Sequence, residues 1–151
     1  MLGWARSQHQ IDGITGFASL DALPAFLQQT DVLVCLLPLT DATTGILNAD
    51  LFNQLPAGSY LINAARGGHL VDEDLLTALE TGQLAGACLD VFHQEPLPAN
   101  HAFWAHPAIT ITPHVASLTN PASAVHQILE NCRRARAGEA LLHPVDRATG
   151  Y

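Results

Sequence analysis

The chain has 151 residues, of which 48% are hydrophobic and 13% are charged, and its formal net charge is -8 at pH 7. This composition fits one ordinary domain with a hydrophobic core. The negative charge repels phosphate backbones and anionic lipids, which argues against nucleic acid and membrane surfaces as partners. No apolar run approaches the roughly 20 residues of a membrane span, and the N-terminus lacks the layout of a secretory signal, so we expect a cytoplasmic protein.

Short apolar runs rich in β-branched residues alternate with helix-like stretches along the chain. This alternation is typical of parallel strands joined by crossover helices, and it predicts the α/β class. The predicted strands cover residues 32–37, 59–63, 86–91 and 108–112, and residues 2–4 resemble the end of a fifth strand. Because these runs are hydrophobic almost throughout, we expect the sheet to be buried on both faces.

Helix signals separate the predicted strands. Four helices are predicted, over residues 18–29, 48–54, 72–82 and 121–138. Ser19 is placed to cap the first, and Pro24 falls early enough in it to be tolerated. The third begins with three acidic residues and ends at Gly82, in agreement with the helix dipole and with glycine as a helix terminator. Arginines near the end of the fourth helix are interpreted as solvated charges that complement its dipole rather than as an anion site.

Cysteine and histidine residues were considered as metal ligands. The odd number of cysteines and their wide separation predict ordinary reduced, buried thiols at Cys35, Cys88 and Cys132. Three histidines lie within residues 101–114, but prolines interrupt this stretch and no i, i+4 histidine pair of the zinc-binding kind occurs. We therefore expect no metal site.

Three polar residues follow successive predicted strands: Arg66, Glu95 and His114. In an open α/β sheet the ligand crevice lies outside the carboxyl ends of the strands, so these side chains should meet at one edge. Each also has a structural explanation, such as an arginine in a surface turn or a histidine satisfied by backbone groups. Together they suit reduction of a 2-oxo acid, because arginine holds a carboxylate bidentately and a protonated histidine donates to the carbonyl oxygen. A nearby glutamate would favour the protonated imidazole.

The stretches LLPLTDATTGILN, INAARGGHLVDEDLLTALETGQLAGACLDVFHQEPLP and HPAITITPHVAS resemble the corresponding run of the D-isomer-specific 2-hydroxyacid dehydrogenases. The resemblance covers essentially the whole chain. Within that family, GWARS, EPLPANHAFWAHP and VDRATGY are most similar to the branch that reduces glyoxylate and hydroxypyruvate. The resemblance implies an NAD(P)H-dependent reductase of a small 2-oxo acid, built on a partial Rossmann-like doubly wound parallel sheet, and a homodimer in the complete protein.

The resemblance also implies roles for individual residues. Arg66 would bind the substrate carboxylate, Glu95 would be the partner carboxylate and His114 would be the acid/base.

A second set of residues matches cofactor positions of the family. Pro38 and Ala64 match backbone positions along the nicotinamide half of the cofactor, and Asp90 matches the acid that hydrogen-bonds the carboxamide. Arg6 and Ser7 stand where NAD-preferring enzymes place an acidic residue against the ribose, so the resemblance favours NADP over NAD.

Two parts of the family pattern are absent from this sequence. No G-x-G-x-x-G turn occurs, and the adjacent Gly67 and Gly68 have the wrong spacing, so they more simply allow a turn near Arg66. No separate substrate domain precedes the cofactor domain. We expect residues 1–118 to be the C-terminal part of a dinucleotide-binding domain, and 119–151 to be a return helix and tail that packs on the missing domain.

Two hypotheses follow about function. In the first, the chain is the C-terminal part of a reductase, and the DNA immediately upstream encodes the glycine-rich turn. In the second, the chain is a catalytically inactive remnant or a partner-binding module that associates through the surface its missing half would cover. Substrate identity stays open among short 2-oxo acids, and Trp104 is expected either to line the pocket or to be a core aromatic.

Overall fold

The structure is a computed structural model that describes residues 1–145. It contains two compact units, of which the first spans Met1–His114 and the second begins at Val115. Within the described residues no helix is both long enough and apolar enough to cross a membrane. Every strand found in residues 1–145 belongs to the first unit, together with three of the helices, so the α/β class is confirmed there.

A four-stranded sheet is the centre of the first unit. Its strands are β3 (Val32–Cys35), β4 (Ser59–Asn63), β5 (Leu84–Leu89) and β6 (Ile109–Ile111), in the order β3-β4-β5-β6. All three pairings are parallel, as predicted from the alternation of strand and helix. Because the strands are parallel neighbours, their carboxyl ends lie at one edge of the sheet.

The two remaining strands form a separate parallel sheet, β1 (Leu2–Ala5) with β2 (Thr15–Ala18). The first was expected as part of a single sheet, and the second was missed. The missed strand contains two small residues in TGFA and has little apolar signal, so its extended form depends on pairing with β1 rather than on hydrophobic pattern.

Four α-helices occur in the described residues: α1 (Leu23–Leu27), α2 (Ala49–Phe52), α3 (Asp72–Glu80) and α4 (Pro121–Ala137). The first is shorter than predicted, because a 3-10 turn over Leu20–Ala22 precedes it. Ser19 does not cap it through its side chain, which makes that prediction wrong, whereas Pro24 does lie in its first turn. Asn48 caps α2 by accepting from the Leu51 amide at 3.0 Å.

The core of the first unit is formed by apolar side chains of the helices α1, α2 and α3 and of the four-stranded sheet. Its largest fully buried apolar side chains are Leu27, Phe52, Leu61, Leu75, Leu84, Leu89 and Phe103. The expectation of burial on both faces is wrong at β3, where Val32 and Val34 are about half exposed. Alternate residues of the strand, Leu33 and Cys35, point into the core, so only one face of this strand is covered.

The prediction of buried cysteines is correct for one residue and wrong for two. All three thiols are free, but only Cys35 is buried, Cys88 is half-buried and Cys132 is exposed on α4. Burial raises the pKa of the Cys35 thiol, which keeps it in its unreactive protonated form.

In the second unit, the helix α4 begins and ends as its sequence predicts. The Asn120 side chain accepts from the Ala122 amide at 3.0 Å, and Gly138 closes the helix with a positive φ of 68°. The amide of Leu142 then donates to Asn131 at 2.7 Å, so the chain after the helix returns along it. The VDRATGY tail noted above extends beyond the described residues.

Two arginines of α4 are paired with carboxylates of the second unit. Arg133 and Arg134 contact Glu130 at 2.9 and 2.8 Å, and Arg133 also contacts Glu139 at 2.7 Å. The hydrogen bonds from Arg133 and Arg134 lower the pKa of Glu130 to about 2. These two arginines therefore bind carboxylates of their own helix and of its end, in addition to complementing the helix dipole.

Candidate functional site

The three predicted catalytic side chains follow three neighbouring strands of the four-stranded sheet. Arg66 comes three residues after β4, Glu95 follows β5 in a loop, and His114 comes three residues after β6. The order β4-β5-β6 therefore delivers all three to the carboxyl edge of the sheet. His114 and Glu95 are in direct contact there, and Arg66 is near enough for its charge to act on Glu95.

His114 and Glu95 form a direct polar contact at this edge. His114 Nδ1 lies 2.7 Å from Glu95 Oε2, and the other carboxylate oxygen, Oε1, accepts from the Phe92 amide at 3.0 Å. The hydrogen bond with His114 is the main reason that the pKa of Glu95 is lowered, followed by the bond from Phe92. The carboxylate is thus held ionised and oriented by both of its oxygens.

The backbone at His114 is in the left-handed region, with φ of 53°. Histidine tolerates this region better than most residues, but such a conformation in a non-glycine residue is uncommon. The His114 amide donates to the Thr112 carbonyl at 3.1 Å, which tightens the turn directly after β6. This turn aims the imidazole back at the loop that carries Glu95.

Gly67 explains how Arg66 reaches the same place. A Cβ atom on Gly67 would lie 2.0 Å from the Phe92 carbonyl carbon, so only glycine allows the two backbone segments to approach this closely. A 3-10 turn over Gly67–His69 follows Arg66, as the adjacent glycines predict. Glycine is required at position 67 by close packing, because its φ is not positive. The packing places the loop after β4 directly against the loop after β5.

His69 is a buried part of this region that the sequence interpretation missed. It has no exposed surface, and its ring nitrogens lie 3.0 Å from the Arg66 carbonyl oxygen and 3.3 Å from the Pro38 carbonyl oxygen. The Asn63 side chain also donates to the Arg66 carbonyl, at 3.1 Å. These bonds fix the backbone of Arg66, and no spacing in the sequence distinguishes His69 from a solvated histidine.

Arg66 is exposed and one of its guanidinium nitrogens, Nη1, donates to the Ala65 carbonyl oxygen at 2.6 Å. A guanidinium has five N–H groups, so this bond leaves others to bind an anionic ligand. The Arg66 side chain is thus held close to its own backbone by one bond, which occupies only part of its hydrogen-bond donors.

The expected nicotinamide-side residues also lie at the carboxyl ends of strands. Pro38 follows β3 and its carbonyl accepts from the Thr43 hydroxyl at 2.7 Å, while Ala64 directly follows β4. Asp90 directly follows β5, is buried, and accepts from the Thr112 hydroxyl in a short hydrogen bond. Asp90 therefore has a partner within the protein, which offsets the cost of burying its carboxylate.

Arg6 and Ser7 are located apart from the three catalytic candidates. Both are exposed and directly follow β1 of the two-stranded sheet, and the Ser7 hydroxyl lies 3.2 Å from His9 Nε2. They too come after the carboxyl end of a strand, although in the smaller sheet. Trp104 is 54% exposed and donates to the Pro98 carbonyl, which excludes the core position considered for it.

A cluster of two histidines and one aspartate lies beside the Glu95 loop. Asp72, at the start of α3, is 3.6 Å from His93 and 3.3 Å from His101. His93 Nε2 is also 2.8 Å from the Leu70 carbonyl oxygen, so the cluster ties both ends of the loop to the body of the unit. Among the described residues, no three histidine, cysteine or acidic side chains are placed to hold a metal ion.

Comparison with known proteins gives consistent results. Residues 1–116 match the family described as D-isomer specific 2-hydroxyacid dehydrogenase, NAD binding domain. The glyoxylate/hydroxypyruvate reductase A of Yersinia enterocolitica is 51% identical over 148 residues, which is 98% of this chain and 47% of that protein. The corresponding reductase of Serratia proteamaculans is 53% identical with the same coverage.

Solved structures of the same kind superpose closely. A D-isomer specific 2-hydroxyacid dehydrogenase from Xanthobacter autotrophicus, in complex with NADPH and MES, is 43% identical with a TM-score of 0.95, covering 99% of this chain and 62% of that one. An NADPH-dependent glyoxylate/hydroxypyruvate reductase from Sinorhizobium meliloti, in complex with NADP and sulfate, is 41% identical with a TM-score of 0.92, covering 99% and 49%. The chain spans about half the length of the curated relatives that it matches. It belongs to the D-isomer specific 2-hydroxyacid dehydrogenase family, whose NAD binding domain it matches over residues 1–116.

Proposed function

We propose that this chain supplies the catalytic half of an NADPH-dependent reductase that converts a small 2-oxo acid, of the glyoxylate or hydroxypyruvate type, to the 2-hydroxy acid. The observation that carries the proposal is the 2.7 Å contact between His114 and Glu95 at the edge that also presents Arg66. An imidazole oriented by a carboxylate next to a guanidinium provides a proton donor and a carboxylate-binding group for this reaction.

The residues present fit the nicotinamide half of a dinucleotide. Pro38, Ala64 and Asp90 line the carboxyl ends of β3, β4 and β5, where ligands of open parallel sheets bind. Asp90 is buried with a hydroxyl partner, which suits an acid that accepts a further hydrogen bond from a carboxamide. Arg6 and Ser7 would hold the 2′-phosphate, and this assignment favours NADP over NAD.

The proposed chemistry uses both ring nitrogens of His114. Nδ1 donates to Glu95, so Nε2 is the nitrogen that faces substrate and carries the second proton of the imidazolium. Arg66 binds the carboxylate of the 2-oxo acid and orients its carbonyl group. Bound NADPH supplies a hydride to the carbonyl carbon. His114 gives its Nε2 proton to the carbonyl oxygen, so the carbonyl becomes a hydroxyl group and the imidazole is left neutral.

The remaining parts of the chain also have expected positions in the complete protein. Residues 1–118 would complete the dinucleotide-binding domain, and 119–151 would return to a substrate domain contributed by the other half of the protein. Trp104, exposed beside the Glu95 loop, would line the substrate pocket. The complete protein would act as a homodimer.

The catalytic assignment is tested in a chimera in which this chain replaces the matching half of the Yersinia enterocolitica reductase, called the chimera below. His114→Gln keeps a polar side chain but removes the proton donor, so kcat for glyoxylate reduction should fall by roughly 10²–10⁴-fold with a smaller change in KM. His126→Gln, an exposed histidine on α4, is the matched control and should leave kcat unchanged. If His114→Gln retains full kcat, His114 is not the acid.

A further inference from the structure

His69 is a buried histidine that the proposed mechanism does not use. It has no exposed surface, and it is the last residue of the 3-10 turn that follows Arg66. Its ring lies between two carbonyl oxygens: Nδ1 is 3.0 Å from that of Arg66, and Nε2 is 3.3 Å from that of Pro38. Arg66 follows β4 and Pro38 follows β3, so the ring joins the segments that leave two neighbouring strands.

The two carbonyls do not need the imidazole to be satisfied. The Asn63 side chain donates to the Arg66 oxygen at 3.1 Å, and the His69 amide donates to the same oxygen at 3.2 Å. The Thr43 hydroxyl donates to the Pro38 oxygen at 2.7 Å. A neutral imidazole has one N–H group, so it donates to only one of the two carbonyls at a time. The ring therefore adds a fixed separation between the two segments rather than a missing donor.

The backbone around His69 keeps the ring in this place. The Gly45 amide donates to the Gly68 carbonyl at 2.9 Å, and the Leu47 amide donates to the His69 carbonyl at 2.8 Å. Because these bonds fix the main chain on the side of Pro38, the side chain of His69 has little freedom to move away from it. The position of Arg66 is thereby linked to that of Pro38.

The proposed reaction makes this separation important. Pro38 is one of the residues proposed to line the nicotinamide half of the cofactor, and Arg66 is proposed to bind the substrate carboxylate. Hydride transfer needs reacting atoms about 3–3.5 Å apart, and a misplacement of about 1 Å can cost roughly 10²-fold in rate. A buried ring between the cofactor side and the substrate side can set that distance without touching either ligand.

We infer that His69 is a positioning residue that fixes Arg66 relative to the nicotinamide side of the site, so that binding of the cofactor and binding of the 2-oxo acid strengthen each other. The inference rests on the proposed function. A ligand that orders the Pro38 segment also orders Arg66 through the ring, and the second ligand then meets an arginine that is already in place. The effect is reciprocal, as linkage requires of two binding equilibria.

The test measures binding of oxalate to the chimera by calorimetry, with and without NADPH. Oxalate is close in size to a small 2-oxo acid but has no aldehyde or ketone group to accept a hydride, so only binding is observed. In the unaltered chimera, NADPH should tighten oxalate binding by at least about fivefold, which is within the usual range for coupled sites. In His69→Leu, which has no N–H group, NADPH should change oxalate binding by less than about twofold.

Glyoxylate kinetics give a second readout. The kcat of His69→Leu should fall by about 10- to 100-fold because the reacting atoms are misplaced. The Kd of NADPH alone should change much less, since the Pro38 carbonyl keeps its bond from Thr43. His69→Gln keeps one donor and a similar length, so its coupling and kcat should lie between those of the leucine variant and the unaltered chimera. It provides the measurement if the leucine variant does not fold.

Two control variants separate this role from general effects. Asn63→Ala removes a different donor to the Arg66 carbonyl and leaves the contact between His69 and Pro38 in place. It should weaken oxalate binding by similar factors with and without NADPH, so that the coupling is retained. His126→Leu, at an exposed position on α4, should change neither the coupling nor kcat.

The outcomes distinguish this inference from the proposed function. An active chimera whose two His69 variants keep the full coupling would overturn the inference and leave the proposed function standing, and so would an active, unaltered chimera without coupling. A lower folded fraction with unchanged coupling has the same meaning, because His69 would then have a structural role only. If the unaltered chimera does not reduce glyoxylate, both are overturned.

Discussion

The carboxyl edge of the four-stranded sheet and the cavity lined by β1 and β3 lie in the same unit. The two regions differ in how much of each is in contact with the rest of the unit. At the carboxyl edge, Glu95, Asp90 and His69 all have hydrogen-bond partners within the unit. At the cavity, which β1 and β3 both line, Val32 and Val34 are half exposed. The polar groups of the carboxyl edge have partners within the unit, whereas apolar side chains beside the cavity are exposed.

The difference shows that the candidate catalytic residues and the cavity depend on different contacts. The candidate catalytic residues are positioned by contacts between consecutive loops after β4, β5 and β6, all supplied by residues 61–114. The cavity is lined by β1 and β3, which belong to different sheets. The candidate catalytic residues are therefore organised by contacts that do not involve the two-stranded sheet.

The largest effect is expected from Gly67→Ala, which disrupts the packing of the loops at the carboxyl edge of the sheet. Its methyl group would overlap the Phe92 backbone at 2.0 Å, so the loops carrying Arg66 and Glu95 must separate. Overpacking of this kind costs about 1–3 kcal/mol and sometimes more, and contact with backbone places this case at about 3 kcal/mol. Urea denaturation of the 151-residue chain measures it.

Gly68→Ala is the matched control in the same turn. Its methyl group would meet the end of the Leu39 side chain at 3.1 Å, and this side chain is flexible enough to move. We expect a loss of stability below about 1 kcal/mol. Equal losses for the two variants would contradict the importance of the contact between Gly67 and Phe92.

The next largest effect is expected on cofactor preference, from a change at Arg6 directly after β1, one of the two strands that line the cavity. In the chimera, Arg6→Asp should lower the ratio of kcat/KM for NADPH over NADH by about 10- to 100-fold, because a charge-assisted hydrogen bond is worth roughly 1.5–3 kcal/mol. Arg6→Lys keeps the charge and should change the ratio much less. If the ratio is the same for Arg6→Asp and the unaltered chimera, Arg6 does not read the 2′-phosphate.

The smallest effect is a change in pH dependence caused by Glu95→Gln. The hydrogen bond to His114 lowers the pKa of Glu95 in the folded protein. The stability that this carboxylate contributes is therefore present above its ordinary pKa of 4.5 and is lost as the pH falls through the lowered folded pKa. Without this carboxylate, kcat of the chimera should fall most at pH values above that range, where Glu95 of the unaltered chimera is ionised and holds His114. Activity at acidic pH should be comparatively intact.

The control for this variant is Glu139→Gln, which alters a carboxylate on the second unit that pairs with Arg133. It should leave the pH profile in place. A rate that falls equally at all pH values in Glu95→Gln would show that Glu95 supports the fold of its loop and that its ionised carboxylate has no separate part in the reaction.

Local signals in the sequence determined the elements that have strong periodicity or caps. The acidic start and leucine stripe of α3, the Pro121 start and Gly138 end of α4, and the apolar run of β4 all appear where their residues predict them. The positions of Arg66, Glu95 and His114 after successive strands were also readable, because parallel topology brings carboxyl ends to one edge.

Only the tertiary structure decided the remaining features, because each depends on contact between segments distant in sequence. The strand β2 is extended through its pairing with β1, and Gly67 matters because Phe92 lies against it. His69 is buried because Pro38 and Arg66 present carbonyl groups on either side of its ring. The exposed face of β3 has the same physical basis: an apolar run specifies what a strand can bury, but the neighbouring segments decide what it does bury.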